Sequence, residues 1–180
     1  MTHYWEKGMG NDVPLAERLY LHQLALLVKA RFEKPTIVNI GVNRGTSLHP
    51  LAASGCRVLA IDTNFRVDIF GKDKLKGVEY FEANSTTFRA QDFSYHLVFV
   101  DGGHDYPIVK DDLFNWGRWI PENGIIAVHD YYTDDKPEKH QERLAGVKRA
   151  VDEYFVLRKG TPWAWLGGAG SIVAYERVTF

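Results

Sequence analysis

The stretch from residue 36 to residue 62, TIVNIGVNRGTSLHPLAASGCRVLAID, constrains the fold of this chain more than any other part of it. Residues 36–40 are rich in β-branched side chains, which predicts a buried parallel strand. The turn at 41–45 has a glycine at each end, and a short apolar-periodic helix begins at Thr46. A second strand follows at 57–61. This order of strand, glycine turn, helix and strand is typical of a nucleotide-binding βαβ unit.

The glycine turn and the acid after the second strand predict what kind of ligand the unit binds. Glycines allow backbone N–H groups and the start of a helix to approach a ligand closely. Asp62, about 20 residues past the turn, is placed to accept hydrogen bonds from ribose hydroxyls. The third glycine of GxGxxG is absent, which favours a ligand with ribose and adenine but no pyrophosphate. The alternative is a turn whose glycines serve chain reversal only. The candidate cofactor residues in this unit are Gly41, Asn43, Arg44, Gly45, Thr46 and Asp62.

Length and charge limit the domain organisation and the partners. A chain of 180 residues, 45% of them apolar, predicts one domain at 1–180, with an N-terminal segment and helix at 1–35 and a Rossmann-like core at 36–180. The net charge of -1 leaves no electrostatic footprint for nucleic acid or for an anionic membrane. Neither a membrane span nor a signal peptide is recognisable. Cys56 is the only cysteine, so we expect a soluble, cytoplasmic protein without an internal disulfide.

The first helix is predicted from about Asp12, a potential N-cap, to Phe32. Its apolar stripe is formed by Leu15, Leu19, Leu26 and Ala30, while Glu17 and Arg18 fall elsewhere on the helix. We therefore expect that stripe to face the core.

Strands and helices alternate through the rest of the chain. Further strands are predicted at 77–83, 95–100 and 124–128, helices within 63–76, at 106–120 and at 141–155, and a closing hairpin at 162–166 and 171–176. The predicted fold is α/β, a doubly wound, mostly parallel, Rossmann-like seven-stranded sheet with a C-terminal antiparallel hairpin.

Polar or glycine residues stand where the predicted parallel strands end. In such sheets ligands bind beyond the carboxyl ends of the strands, so these residues are expected to converge. Asn84 and Ser85, after the third strand, either reach an adenine edge or merely cap a helix. The strand-end residues are Gly41, Asp62, Asn84, Asp101 and Asp130.

The segment after the fourth strand carries a recognisable motif. Residues 101–106 read D-G-G-H-D-Y, and the fifth strand ends in His-Asp at 129–130 after a Pro-x-x-Gly turn. With GVKRAVDEYF at 146–155, these residues resemble the class I S-adenosylmethionine-dependent methyltransferases. The closest likeness is to a small "methyltransferase domain" group with D-G-x-H-x-Y after the fourth strand. The resemblance covers about residues 36–178.

The resemblance implies roles for the strand-end residues. Gly41 and its turn would face the methionine part of S-adenosylmethionine, Asp62 would hold the ribose, and Asp101 would lie near the transferred methyl. Asn84 and Ser85 would border the adenine. Two departures stand out: Asn39 replaces the acid usual before the turn, and the middle glycine is missing from Val42-Asn43-Arg44. Arg44 would place a cation near the cofactor carboxylate.

Methyl transfer from a sulfonium needs an aligned nucleophile whose proton is removed. His104 is the candidate general base, since histidine exchanges protons near neutral pH, and Asp101 is its catalytic neighbour. The alternative is that His104 only braces its loop. Asp101 and Asp130, at the ends of neighbouring strands, could also hold Mg²⁺ or another divalent metal. Tyr131 occupies the position where catechol-type relatives have a third ligand, so His129 or His104 would replace it.

We therefore predict a methyltransferase acting on oxygen or nitrogen of a small-molecule acceptor. The alternatives are a non-catalytic or regulatory cofactor-binding domain of the same fold, or a nicotinamide-dependent oxidoreductase. Trp163 and Trp165 are expected in the core, with a substrate wall or a homodimer patch as alternatives. Residues 1–11 and 133–140 are candidate lids.

Overall fold

The computed structural model describes residues 13–65, 75–88, 94–134, 137–158 and 160–179. The predicted cap at Asp12, the candidate lid at 1–11 and most of the predicted helix within 63–76 lie outside these residues.

Helices and strands alternate along the described chain up to the closing hairpin, except between residues 57 and 100, where no helix lies among the described residues. Their bounds are α1 Leu15–Arg31, β1 Thr36–Ile40, α2 Leu48–Ala53, β2 Arg57–Asp62, β3 Val78–Glu82, β4 Leu97–Val100, α3 Tyr106–Gly117, β5 Ile125–Val128, α4 Glu138–Val151, β6 Trp163–Ala169 and β7 Ile172–Arg177. A π-helical turn, Asp152–Val156, continues α4.

Seven strands in the described residues form one sheet in the order β3-β2-β1-β4-β5-β7-β6. The pairs from β3 through β5 are parallel, and β7 pairs antiparallel with both β5 and β6. The predicted doubly wound, mostly parallel sheet with an antiparallel hairpin is confirmed.

The central strands β1, β4 and β5 are buried along their whole length because helices cover both faces of the sheet. On one face, apolar residues of α3 and α4 pack with alternate strand residues. On the other face, α1 and α2 do the same. The carboxyl ends of the parallel strands are thereby held at one edge, where the polar residues predicted from the sequence are found.

The face of α1 that packs on the sheet differs from the predicted one. Leu15, Leu19 and Leu26 are each more than 40% exposed, and Ala30 is also exposed. A second stripe of residues at helical spacing is buried instead, and two of its six members are charged. Its members are Glu17, Arg18, Leu21, Leu24, Ala25 and Val28.

The closing hairpin gives one further correction, and α4 begins earlier than the predicted residue 141. Trp163 is buried as expected, whereas Trp165 is 64% exposed, so the two tryptophans do not share a core. The regular pairing of β6 with β7 is interrupted by a β-bulge between Trp165 and Gly167. The candidate lid at 133–140 is partly helical, because α4 already begins at Glu138. Among the described helices, none is long and apolar enough to cross a membrane.

Candidate active site

A cleft of about 1090 Å³ opens at the carboxyl ends of the parallel strands. Eight of the residues predicted from the sequence line it: Gly41, Asn43, Asp62, Asn84, Ser85, Asp101, His104 and Asp130. Arg44, Gly45 and Thr46 do not line it. Gly45 and Thr46 are buried within the turn, where the Gly45 N–H donates to Val42 O at 2.7 Å.

Gly41 brings the cofactor turn against the loop after β4. Its φ of +78° lies in the left-handed region that favours glycine, and a β-carbon there would overlap the carbonyl oxygen of Asp101. No other residue fits both the conformation and the space. The turn and Asp101 are therefore in direct contact.

Asp62 holds the same turn from the other side. Its Oδ2 accepts hydrogen bonds from the N–H groups of Val42 at 2.7 Å and Asn43 at 2.9 Å. Its Oδ1 accepts from the N–H of Asn64 at 3.0 Å. A carboxylate has about four lone-pair sites, so acceptor capacity remains for hydroxyl groups in the cleft.

Asn39 lies beneath the turn, and its surroundings explain why this position holds a neutral residue in place of an acid. Its side chain is fully buried, and its Nδ2 donates to Ser47 Oγ at 3.1 Å. A neutral amide paired with a hydroxyl avoids burying an uncompensated charge.

Asn84 and Ser85 form the wall of the cleft after β3. Asn84 Oδ1 accepts from the N–H and the hydroxyl of Thr86, at 3.0 and 2.9 Å. The carbonyl of Ser85 accepts from Trp116 Nε1 at 3.1 Å, which ties this wall to α3. Asn84 thus shapes a local turn and lines the cleft at once, so the two alternatives from the sequence are compatible.

His104 and Asp130 face each other across the ends of β4 and β5. His104 Nε2 lies 3.1 Å from Asp130 Oδ2, and the His104 side chain is 36% exposed while that of Asp130 is 9% exposed. Asp130 has a φ of +59°, which is uncommon for a residue other than glycine. Such strained conformations cluster at functional sites.

His129 lies at the centre of three carboxylates. Its Nδ1 is 3.0 Å from Asp101 Oδ1 and 3.4 Å from Asp130 Oδ2, and its Nε2 is 3.0 Å from Glu17 Oε2. The Nδ1 contacts are ion pairs rather than aligned hydrogen bonds. Burial by itself would lower the pKa of His129, but the charge of Asp101 and the other two carboxylates outweighs it and raises that pKa to about 12. His129 is therefore an imidazolium.

Glu17 reaches this cluster from the first turn of α1 and was missed by the sequence analysis. It is 2% exposed, and its Oε1 accepts from Ser171 N at 2.6 Å and from Ser171 Oγ at 3.0 Å. Burial alone would raise the pKa of Glu17, yet hydrogen bonding and the charge of His129 lower it overall. The signal in the sequence is the stripe of Leu21, Leu24, Ala25 and Val28, which places residue 17 on the buried face when it is extended by one turn.

Asp101, His104 and Asp130 are arranged so that they could hold a cation. One ligand atom of each lies within 4.8 Å of the others. Burial raises the pKa of Asp101, while the positive charge of His129 opposes that effect. Three carboxylates, those of Glu17, Asp101 and Asp130, surround the one imidazolium of His129. The described cluster is therefore net negative. The donor set therefore fits a divalent cation, and the imidazole nitrogen suits manganese or zinc better than magnesium.

Comparison with known proteins identifies the family. Residues 38–131 match a family described as a methyltransferase domain, which is more than half of the chain. A candidate O-methyltransferase from Klebsiella pneumoniae is similar in structure, with a TM-score of 0.70 and 17% identity over 94% of this chain and 83% of that one. The O-methyltransferase TomG from Streptomyces achromogenes, solved with S-adenosylmethionine, has a TM-score of 0.63 and 18% identity over 93% of this chain and 82% of that one.

The structural likeness concerns the fold, and the match to residues 38–131 contains the glycine turn, Asp62 and the Asp101 to Asp130 region. This chain belongs to the methyltransferase domain family and has the class I fold of S-adenosylmethionine-dependent methyltransferases.

Proposed function

We propose that this chain transfers a methyl group from S-adenosylmethionine to a hydroxyl oxygen of a small-molecule acceptor. The observation that carries the proposal is the contact of His104 with Asp130 in the cleft. His104 follows β4, and β4 neighbours β1, the strand that leads into the glycine turn. A base held by a carboxylate beside a cofactor turn is an arrangement that can deprotonate a hydroxyl acceptor for O-methylation.

The cofactor would lie across the ends of β1 and β2. S-adenosylmethionine supplies a methyl group on a positively charged sulfur. The Gly41 turn would face its methionine part, and Asp62 would use its remaining lone pairs for the ribose hydroxyls. Asn84 and Ser85 would border the adenine at the end of β3. The net negative cluster at the ends of β4 and β5 would favour the positive charge of the sulfonium.

His104 would act as the general base. A carboxylate only accepts hydrogen bonds, so the His104 Nε2 facing Asp130 carries the proton and Nδ1 keeps the lone pair. Nδ1 would take the proton from the acceptor hydroxyl as its oxygen bonds to the methyl carbon. The carbon–sulfur bond breaks at the same time and its electron pair stays on sulfur, which leaves neutral S-adenosylhomocysteine. Asp130 would stabilise the resulting His104 imidazolium.

A divalent metal is the alternative way to activate the acceptor. Asp101 and Asp130 would then supply oxygen ligands and His104 a nitrogen ligand. A bound cation would lower the pKa of an acceptor hydroxyl and fix its orientation. With Nε2 bound to the metal, a neutral His104 would carry its proton on Nδ1 and could not accept another one there, so metal dependence decides between the two arrangements.

Calorimetry with S-adenosylmethionine and S-adenosylhomocysteine, followed by an acceptor screen with labelled S-adenosylmethionine, tests the proposal. We expect both nucleosides to bind and label to reach hydroxylated acceptors. A parallel screen with EDTA, Mg²⁺ or Mn²⁺ separates the base from the metal arrangement. Binding without turnover on any acceptor would favour a regulatory cofactor-binding domain, and failure to bind either nucleoside would contradict the proposal. NADH binding with its characteristic fluorescence would instead support an oxidoreductase.

A further inference from the structure

The cleft extends past His104 to the first turns of α4. Arg143 and His140 line that end of it, and both side chains are exposed. Among the described lining residues, Arg143 is the one arginine and no lysine is present, whereas four aspartates line other parts of the cleft. The cleft therefore has a cationic end in an otherwise acidic lining.

Close packing fixes the position of α4 relative to His104. A β-carbon placed on Gly146 would lie 2.5 Å from His104 O and 2.6 Å from Tyr106 N, so the helix backbone touches the His104 loop. Arg149, on the same helix, lies over the Tyr106 ring with its guanidinium carbon 4.0 Å from the ring centroid. Arg143 precedes Gly146 by three residues, a rise of about 4.5 Å along the helix. Its position beside His104 therefore follows from the packing of α4.

The described residues leave the cationic end without a polar partner. In the part of the chain that the structure describes, the side chains of Arg143 and His140 have no ion pair or hydrogen bond. Asp111 lines the same cleft, yet it forms no ion pair with Arg143 within 4.0 Å. The planar guanidinium fork of an arginine has five N–H donors, and those of Arg143 are not taken up by any described residue.

The carboxylate of the cofactor is a poor match for this end of the cleft. The methionine part of the cofactor is proposed to lie at the Gly41 turn, after β1. Helix α4 packs against the His104 loop, which follows β4, and β4 neighbours β1 in the sheet. At least one strand spacing of about 4.8 Å, together with the His104 loop, therefore separates the two positions. The cationic end lies on the acceptor side of His104.

We infer that Arg143 and His140 form a subsite for a carboxylate on the acceptor, so that the substrate class is a hydroxylated carboxylic acid. This inference rests on the proposed methyl transfer. The guanidinium fork matches a carboxylate with two parallel hydrogen bonds, and the His140 imidazole can add a third. A phosphate would call for several cations or converging backbone N–H groups, and one arginine supplies neither. The acceptor hydroxyl then lies at His104, about one helical turn from the carboxylate.

Paired acceptors test the subsite separately from the chemistry. The probes are hydroxybenzoates and hydroxycinnamates, each compared with its uncharged primary amide. Binding is measured by calorimetry, with and without S-adenosylhomocysteine, and methyl transfer is measured on the same pairs. We expect at least one carboxylate to bind about tenfold more tightly than its amide.

The variants are Arg143→Gln, Arg143→Lys and the control Lys139→Gln, an exposed cation of the same helix that does not line the cleft. Arg143→Gln should remove the preference for the carboxylate and leave binding of the amide and of S-adenosylhomocysteine unchanged. Arg143→Lys should keep part of the preference, and Lys139→Gln all of it. Equal binding of acids and amides, absence of binding by every acid, or a preference that survives Arg143→Gln would overturn the subsite. Loss of nucleoside binding would count against the proposed function instead, because the carboxylate preference is also measured without nucleoside.

Discussion

His129 Nε2 lies 3.0 Å from Glu17 Oε2, and this contact joins the end of β5 to the first turn of α1. Both side chains are almost fully buried, at 8% and 3% exposure. Glu17 is paired with His129, whereas His129 also contacts Asp101 and Asp130 through Nδ1. Removing the charge of Glu17 therefore leaves the His129 charge only partly compensated, which is costly because the pair is buried.

Glu17→Gln should lower the free energy of unfolding by about 1 to 3 kcal/mol at neutral pH. The amide keeps the size of the side chain but removes the negative charge that faces His129. Urea unfolding followed by circular dichroism measures the difference. Glu33→Gln is the control, since Glu33 is exposed on the segment after α1 and should change stability little.

The effect of Glu17→Gln should depend on pH in a defined direction. The pKa of Glu17 is lowered in the folded protein, so its contribution is present above its usual value of 4.5 and is lost as the pH falls through the folded value. The difference between wild type and variant should therefore shrink in acid. A difference that stayed constant from pH 7 to pH 3 would show that the carboxylate charge is not the cause.

Gly41→Ala should destabilise the protein and abolish nucleoside binding. The new β-carbon would overlap the Asp101 carbonyl, and the backbone at φ +78° disfavours any side chain. We expect a loss of more than about 3 kcal/mol in urea unfolding. Gly160→Ala is the matched control: Gly160 has φ +69° and open space around it, so only the conformational cost of about 1 kcal/mol should appear. Equal losses in the two variants would contradict the role of the close contact.

Asp62→Asn should weaken S-adenosylhomocysteine binding at least about tenfold in calorimetry. The amide replaces one carboxylate oxygen by an NH₂ donor. That donor would either face the backbone N–H groups that now donate to Asp62 or lose the hydrogen bonds from the ribose hydroxyls. Glu82→Gln, at the end of β3 and outside the cleft lining, should bind as wild type. Unchanged affinity in Asp62→Asn would remove Asp62 from the cofactor site.

His104→Gln should lower kcat about 100- to 10,000-fold while nucleoside affinity stays the same. The side chain would still be polar and near Asp130, but it could not accept a proton. Asp105→Asn, a neighbouring exposed residue outside the cleft lining, provides the control. Transfer at the wild-type rate in His104→Gln would exclude His104 as the base.

Asp112→Asn should flatten the pH dependence of stability between pH 4 and pH 8. Asp112 is fully buried, its oxygens lack hydrogen-bond partners among the described residues, and burial raises its pKa to about 6. The folded state binds more protons than the unfolded state between the usual value of 3.8 and about 6, so wild-type stability falls as pH rises there. The variant should lack this fall of about 2 to 3 kcal/mol, as measured by urea unfolding at each pH. A fall of the same size in Asp112→Asn would assign it to other groups.

The strand-end residues could be predicted because their signals are local. Each follows a short run of apolar residues, and parallel strands place their carboxyl ends at one edge whatever the distance in sequence. This reasoning was enough for Gly41, Asp62 and Asp101.

Glu17 and the buried face of α1 could not be chosen in the same way. Two stripes of similar hydrophobicity run along the helix, and only the sheet decides which of them is buried. An acid on a buried face is acceptable only because His129 lies opposite, and that partner is 112 residues away along the chain. Asp130 is predicted as a ligand from its place at a strand end. Its left-handed backbone conformation depends on the turn after β5 and could not be predicted from the identity of the residue.

The contact between Glu17 and Ser171 has a consequence for the order in which the molecule assembles. The two residues are 154 positions apart, and the last hairpin begins its return strand directly after Ser171. During synthesis α1 is complete long before either of its polar partners exists, so Glu17 must stay in water until β5 and the hairpin have formed. Closing such a long loop is slow because its entropy is lost before the contact is gained. Docking of α1 is therefore expected late in folding, after the parallel strands have paired.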